Sequence, residues 1–178
     1  MSKPLTTTLT YYGISPWEIE VLYGFLNSHF KVVQEEINPT DEEFVSSLEI
    51  EIPLPFNEAF FQWYEFKRWE KVKAVFKEMK RRRGNDNAIK IKINFHGNPR
   101  IIFTIDNEDK QWFDNAIEKL DFVLELLPYH LNPEKLPSEI FEIRYKFDSK
   151  SARWRLDTAA SSKGKKYNHD GNQWEETK

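Results

Sequence analysis

The chain has 178 residues, 39% hydrophobic and 31% charged, with a net charge of −3 and no cysteine. This balance fits one globular domain and excludes disulfides, thiolate nucleophiles and cysteine-ligated metal centres. No run approaches the ~18 apolar residues of a membrane helix, and the opening MSKPLTTTLTYYG lacks the apolar stretch of a secretory signal, so the expectation is a soluble cytoplasmic chain that engages no membrane.

The first element is LTTTLTYY, residues 5–12, whose threonines and tyrosines predict a strand with Leu5, Leu9 and Tyr11 on one side. Ser15-Pro16-Trp17-Glu18 then carries the pieces of a capping box, with proline at the first helical position. Ile19, Leu22, Leu26 and Phe30 follow at helical spacing, which predicts a helix over 16–30. NPTDEEF reads as a polar linker. In LEIEIPL, Leu48, Ile50, Ile52 and Leu54 alternate with Glu49, Glu51 and Pro53, the pattern of a half-buried strand. Residues 57–83 read as the longest helix, with Asn57 as its cap. Its broad apolar stripe runs from Phe60, Trp63 and Tyr64 to Phe76 and Met79, and Gly84 ends it.

AIKIKINF and RIIFTI flank the turn HGNP and predict an antiparallel hairpin over 88–95 and 100–105. Ile89, Ile91, Ile93, Phe103 and Ile105 form its apolar side. A helix capped near Asp106 or Asn107 carries Phe113, Ile117, Leu120, Val123, Leu124 and Leu127 and stops before Pro128. IFEIRYKF and RWRL give two further strands. From residue 158 the composition turns to Ala, Ser, Lys, Gly and Asn, so the expected domain spans 1–157 and a flexible polar tail spans 158–178. The fold class is α+β: a mainly antiparallel sheet of about five or six strands, with two or three helices on one face and a more polar opposite face.

Charge is strongly segregated along the chain. Residues 1–70 carry a net −8, 71–100 a net +8, 101–143 a net −7, 144–166 a net +6 and 167–178 a net −2. The run Lys80, Arg81, Arg82 and Arg83 ends a helix, where cations complement the negative end of the dipole. On the strands, alternation places Lys90, Lys92, Arg100, Arg144, Lys146, Arg153 and Arg155 on the polar side. Together these eleven residues are the candidate nucleic-acid-binding set, provided that strand order merges the two positive blocks. The competing reading is structural: LEIEI beside IKIKI would set Glu49 and Glu51 against Lys90 and Lys92.

Phe95, Phe103, Phe141, Tyr145 and Trp154 are aromatic types that stack on bases, but they fall on the predicted core side. Tyr12, Trp112 and Trp154 could edge a groove. His29, His96, His130 and His169 show no metal-ligand spacing, and no phosphate-cradling loop or nucleophile elbow occurs. No catalytic residue, metal site or cofactor is assigned. A carboxylate-based activity needs no sequence spacing and stays open. The sequence therefore predicts a non-enzymatic module that binds nucleic acid, single-stranded by preference, through a basic sheet face and the 80–83 helix end. The alternative is a subunit that recognises a protein partner or a second copy of itself.

Overall fold

The computed structural model describes residues 5–177. The fold is α+β, built on one mixed sheet of nine strands with six helical segments among the described residues. The first half contains β1 (Thr6–Tyr12), α1 (Pro16–Leu26), β2 (Lys31–Glu36), β3 (Ser46–Ile52), α2 (Glu58–Tyr64) and α3 (Phe66–Arg83). The second half contains β4 (Ile89–Phe95), β5 (Arg100–Ile105), α4 (Lys110–Glu118), a 3-10 segment (Leu120–Glu125), α5 (Leu127–His130), β6 (Ile140–Asp148), β7 (Arg153–Ser161), β8 (Lys166–His169) and β9 (Trp174–Glu176). The strand order is β2-β1-β3-β4-β5-β6-β7-β8-β9.

Three neighbouring pairs are parallel: β1 with β2, β3 with β4, and β5 with β6. Each is bridged by helix, as a parallel connection requires. The remaining pairs are antiparallel. The sheet is thus mixed and larger than the five or six mainly antiparallel strands expected, and more helices accompany it.

The predicted hairpin is present as β4 and β5, with Ile93 opposite Phe103 and Ile91 opposite Ile105. Ile89, Ile91, Ile93, Phe103 and Ile105 are all fully buried. Their row continues through Leu9, Leu48, Ile50 and Ile52 on one side and Ile143, Tyr145, Phe147, Trp154 and Leu156 on the other, forming one core under the helices. Aromatic rings dominate its centre: Phe56 meets Phe103 at 4.8 Å and Phe103 meets Trp154 at 5.2 Å, both edge to face. Each fully buried phenylalanine stabilises the fold by about 2–3 kcal/mol.

The capping box forms as the sequence predicts: the Ser15 hydroxyl accepts from the Glu18 amide, and the Ser15 amide donates to Glu18 Oε1 at 3.1 Å. Helix α1 ends at Leu26, short of residue 30. The single helix expected over 57–83 is two helices. Glu65 adopts φ 77°, outside helical space, so α2 stops at Tyr64 and α3 starts at Phe66. The bend lets Phe60, Phe61 and Tyr64 reach the core beside Trp69, while Trp63 stays partly exposed.

Residues 158–161 extend β7, and 166–169 and 174–176 add β8 and β9, where the sequence suggested a tail. The physical reason is pairing: Ala159 lies opposite Ile143 and Tyr167 opposite Ala159, so backbone ladders organise a segment with few side chains to bury. Strand β2, KVVQEE, was also unforeseen because it presents almost no buried side.

Candidate functional site

The four cations at the end of α3 have different fates. Lys80 is fully buried, its Nζ donating to the Asp86 carbonyl at 3.1 Å and lying 5.4 Å from the Phe113 ring centre. Desolvation holds its pKa below the usual lysine range. Arg83 also turns inward. Its guanidinium grips the Glu18 carboxylate through two bonds of 2.7 Å and further donates to Ser46 Oγ, Met79 O and Gly13 O. Glu18 is only 3% exposed. Burial alone would raise its pKa, but Arg83 and the Ser15 hydrogen bonds hold it down at about 2. Arg81 pairs with Glu78 on the helix surface, and Arg82 lies 5.6 Å from the ring centre of the exposed Trp17.

The sheet cations lie on the opposite layer, on the face that the helices leave open. Strand order sets β4 and β5 beside β6 and β7, so sheet residues from the two positive blocks meet there. One cross-strand row reads Glu49, Lys92, Thr104, Lys146, Arg155; the next reads Glu51, Asn94, Ile102, Arg144, Thr158. Arg153 continues the surface opposite Asp148. Several of these cations have an acidic neighbour: Arg144 with Glu142 at 3.1 Å, Arg155 with Asp148 at 3.1 Å and Arg100 with Glu51 at 2.8 Å. Such half-exposed pairs are worth about 0–1 kcal/mol each and exchange partners readily. Among the described residues, Lys92, Lys146 and Arg153 have no ion pair.

The expected charge matching across β3 and β4 is half realised. Glu49 faces Lys92 in register, but Glu51 faces Asn94 and Lys90 faces Ser47. Lys90 pairs instead with Asp41 at 3.3 Å, at the margin of the face. The Asn94 amide is buried and donates to both Glu49, at 2.7 Å, and Glu51, at 2.5 Å. Glu51 also binds His96. These contacts make β3 an acidic border to the basic strands.

The aromatics expected in the core are there, with one exception. Phe95, Phe103, Tyr145 and Trp154 are buried, while Phe141 is exposed beside a register shift in β6. Tyr12 is buried too, its hydroxyl donating to the Asp41 and Phe44 carbonyls at 3.0 and 3.1 Å. Trp154 donates its indole N–H to Ala116 O at 2.9 Å.

A second feature has no counterpart in the sequence patterns. His130, on α5, and His169, on β8, line one cleft of about 1110 Å³ together with Tyr129, Arg155, Asp170 and Trp174. The Tyr145 hydroxyl lies 2.9 Å from His130 Nδ1. Burial pushes the Tyr145 pKa up, so the hydroxyl keeps its proton, and which of the two groups donates follows from the tautomer of His130. Burial, then the nearby His169, lowers the His130 pKa, and burial lowers that of His169 against the opposing charge of Asp170. The cleft therefore holds two imidazoles biased to the neutral form. Nothing in the spacing of residues 130 and 169 marks this; two strands intervene before the chain returns. No group of three or more His, Asp or Glu side chains suited to a metal occurs among the described residues, and no helix there is long and apolar enough to cross a membrane. Comparisons with protein-family models, curated proteins and solved structures find no match.

Proposed function

We propose that this protein is a non-catalytic binding module that engages single-stranded nucleic acid across the open face of β4–β7. The observation that carries this reading is the strand order, which brings Lys92, Arg100, Arg144, Lys146, Arg153 and Arg155 onto one surface although they come from separate parts of the chain. The 80–83 helix end is not part of this surface, since Lys80 and Arg83 are committed inside the fold. With Phe95, Phe103, Tyr145 and Trp154 in the core, contacts would be made chiefly to phosphates, which position a strand without reading its bases.

The test is a titration against single-stranded DNA, single-stranded RNA and duplex DNA at several salt concentrations. Affinity should fall with salt. Replacing Arg144 and Arg153 by alanine should make the log–log slope shallower, by about one unit or slightly less for each phosphate no longer neutralised. Absence of binding to every nucleic acid at low salt defeats the proposal. A second reading, a protein partner with a complementary charge pattern, draws on the acidic border formed by Glu49 and Glu51 along the same face.

A further inference from the structure

The two edges of the sheet differ. Strand β9 has three residues, whereas β2 runs six residues in unbroken register with β1, from Thr6–Lys31 to Tyr11–Glu36. Strand β2 contains no proline and no bulge, and its Val33 is 41% exposed. Edges of this kind present a row of free backbone groups that templates another strand. Among the described residues nothing pairs with the outer side of β2.

The direction of those free groups is fixed by the ladder. The Lys31 amide donates to Leu5 O and the Ile37 amide to Tyr11 O, both at 2.8 Å. Odd-numbered residues therefore turn their N–H and C=O inward to β1. Even-numbered residues, Val32, Gln34 and Glu36, turn theirs outward. Side chains alternate with the same period: Lys31, Val33 and Glu35 stand on the open face, and Val32 packs against the core.

We infer that β2 is a self-complementary edge that pairs antiparallel with β2 of a second copy of this chain about a two-fold axis at Val33. In an antiparallel ladder, outward-pointing residues must face one another, which eliminates every register pairing odd with even positions. Of the registers left, the one centred on Val33 puts Lys31 opposite Glu35 of the other copy, twice by symmetry, and Val33 opposite Val33. Val32 and Gln34 then exchange both backbone hydrogen bonds. The two valines form a pair without backbone bonds, the type in which side chains approach most closely. A shift of two residues instead sets lysine against valine or valine against glutamate. The isologous contact closes on itself, as a two-fold dimer must, and it makes the two open faces continuous. The inference is independent of what that face binds.

Sedimentation velocity on the full chain across a concentration series tests it. The wild type should pass from one chain to two as concentration rises. Lys31→Glu turns two attractive cross-strand pairs into repulsive ones and should weaken the dimer roughly tenfold or more. The double exchange Lys31→Glu with Glu35→Lys should restore it. Gln34→Pro removes an outward N–H that the monomer does not use, and should abolish dimerisation while the melting temperature of the dilute protein stays close to wild type. A wild type that stays monomeric to its solubility limit overturns the inference. So does a Lys31→Glu variant that dimerises as well as wild type, or a double exchange that fails to restore the dimer.

Discussion

The two sets of cations, at the end of α3 and on the open face of β4–β7, use the same residue types and come from equally basic stretches of sequence. The first set is half consumed by the fold: the buried Lys80 donates to the Asp86 carbonyl and Arg83 clamps Glu18. The second set stays at the surface with weak, exchangeable partners. Local charge density does not separate them. What separates them is the layer each element belongs to. The last turn of α3 is pressed against α1 and the start of β3, whereas the sheet cations stand on the one face with no helices over it.

The sharpest way to break this contrast is to remove one member of each set. Arg83→Ala leaves a buried carboxylate without its partner and should lower unfolding free energy by about 3–5 kcal/mol in urea titration, with nucleic-acid affinity unchanged once folding is restored by temperature or osmolyte. If Arg83→Ala is neutral for stability, the inward set is not structural. Acid titration tests the same clamp. The Glu18 pKa is held at about 2, below the ordinary 4.5, so the unfolded chain binds the proton first. Its contribution is present above pH 4.5 and is lost as pH falls toward 2, amounting to roughly 3 kcal/mol. That part of the acid transition should vanish in Arg83→Ala.

Trp174 lies between the extremes, half-buried against the core with its ring 4.9 Å from that of His169. Trp174→Ala should cost about 1–2 kcal/mol, read as a fall in melting temperature. A neutral result would mean that β8 and β9 dock without contributing to stability. The smallest effect belongs to the open face: Arg144→Ala with Arg153→Ala should change stability by no more than about 1 kcal/mol while flattening the salt dependence of binding. A large stability loss there would erase the distinction between the two sets.

Sequence patterns were informative where one physical rule dominates. The β4–β5 hairpin was plain because one face is fully covered, so burial writes itself as strict alternation of Ile89, Ile91 and Ile93 with polar residues. The Ser15–Glu18 box was plain because capping is local. Strand β2 was invisible since an edge strand is held by backbone bonds and asks little of its side chains. Residues 158–176 were invisible for the same reason, being organised by successive ladders from β6 through β7 and β8 to β9. The break at Glu65 reflects tertiary demand for three aromatic rings in the core, overriding a continuous helical stripe. The inward turn of Lys80 and Arg83 depends on Asp86, Glu18 and Gly13, two of them far away in sequence. The His130–His169 cleft depends on the order of strands, which periodicity does not encode.

Glu18 holds two helix ends at once. Its Oε1 accepts from the Ser15 amide at the start of α1 and also from Arg83 at the end of α3. A fluctuation that frays the first turn of α1 therefore loosens the last turn of α3, and the reverse. The two helix ends, 65 positions apart in the chain, should open as one unit, so that their amide protons exchange with deuterium through a common opening event and report the same opening free energy.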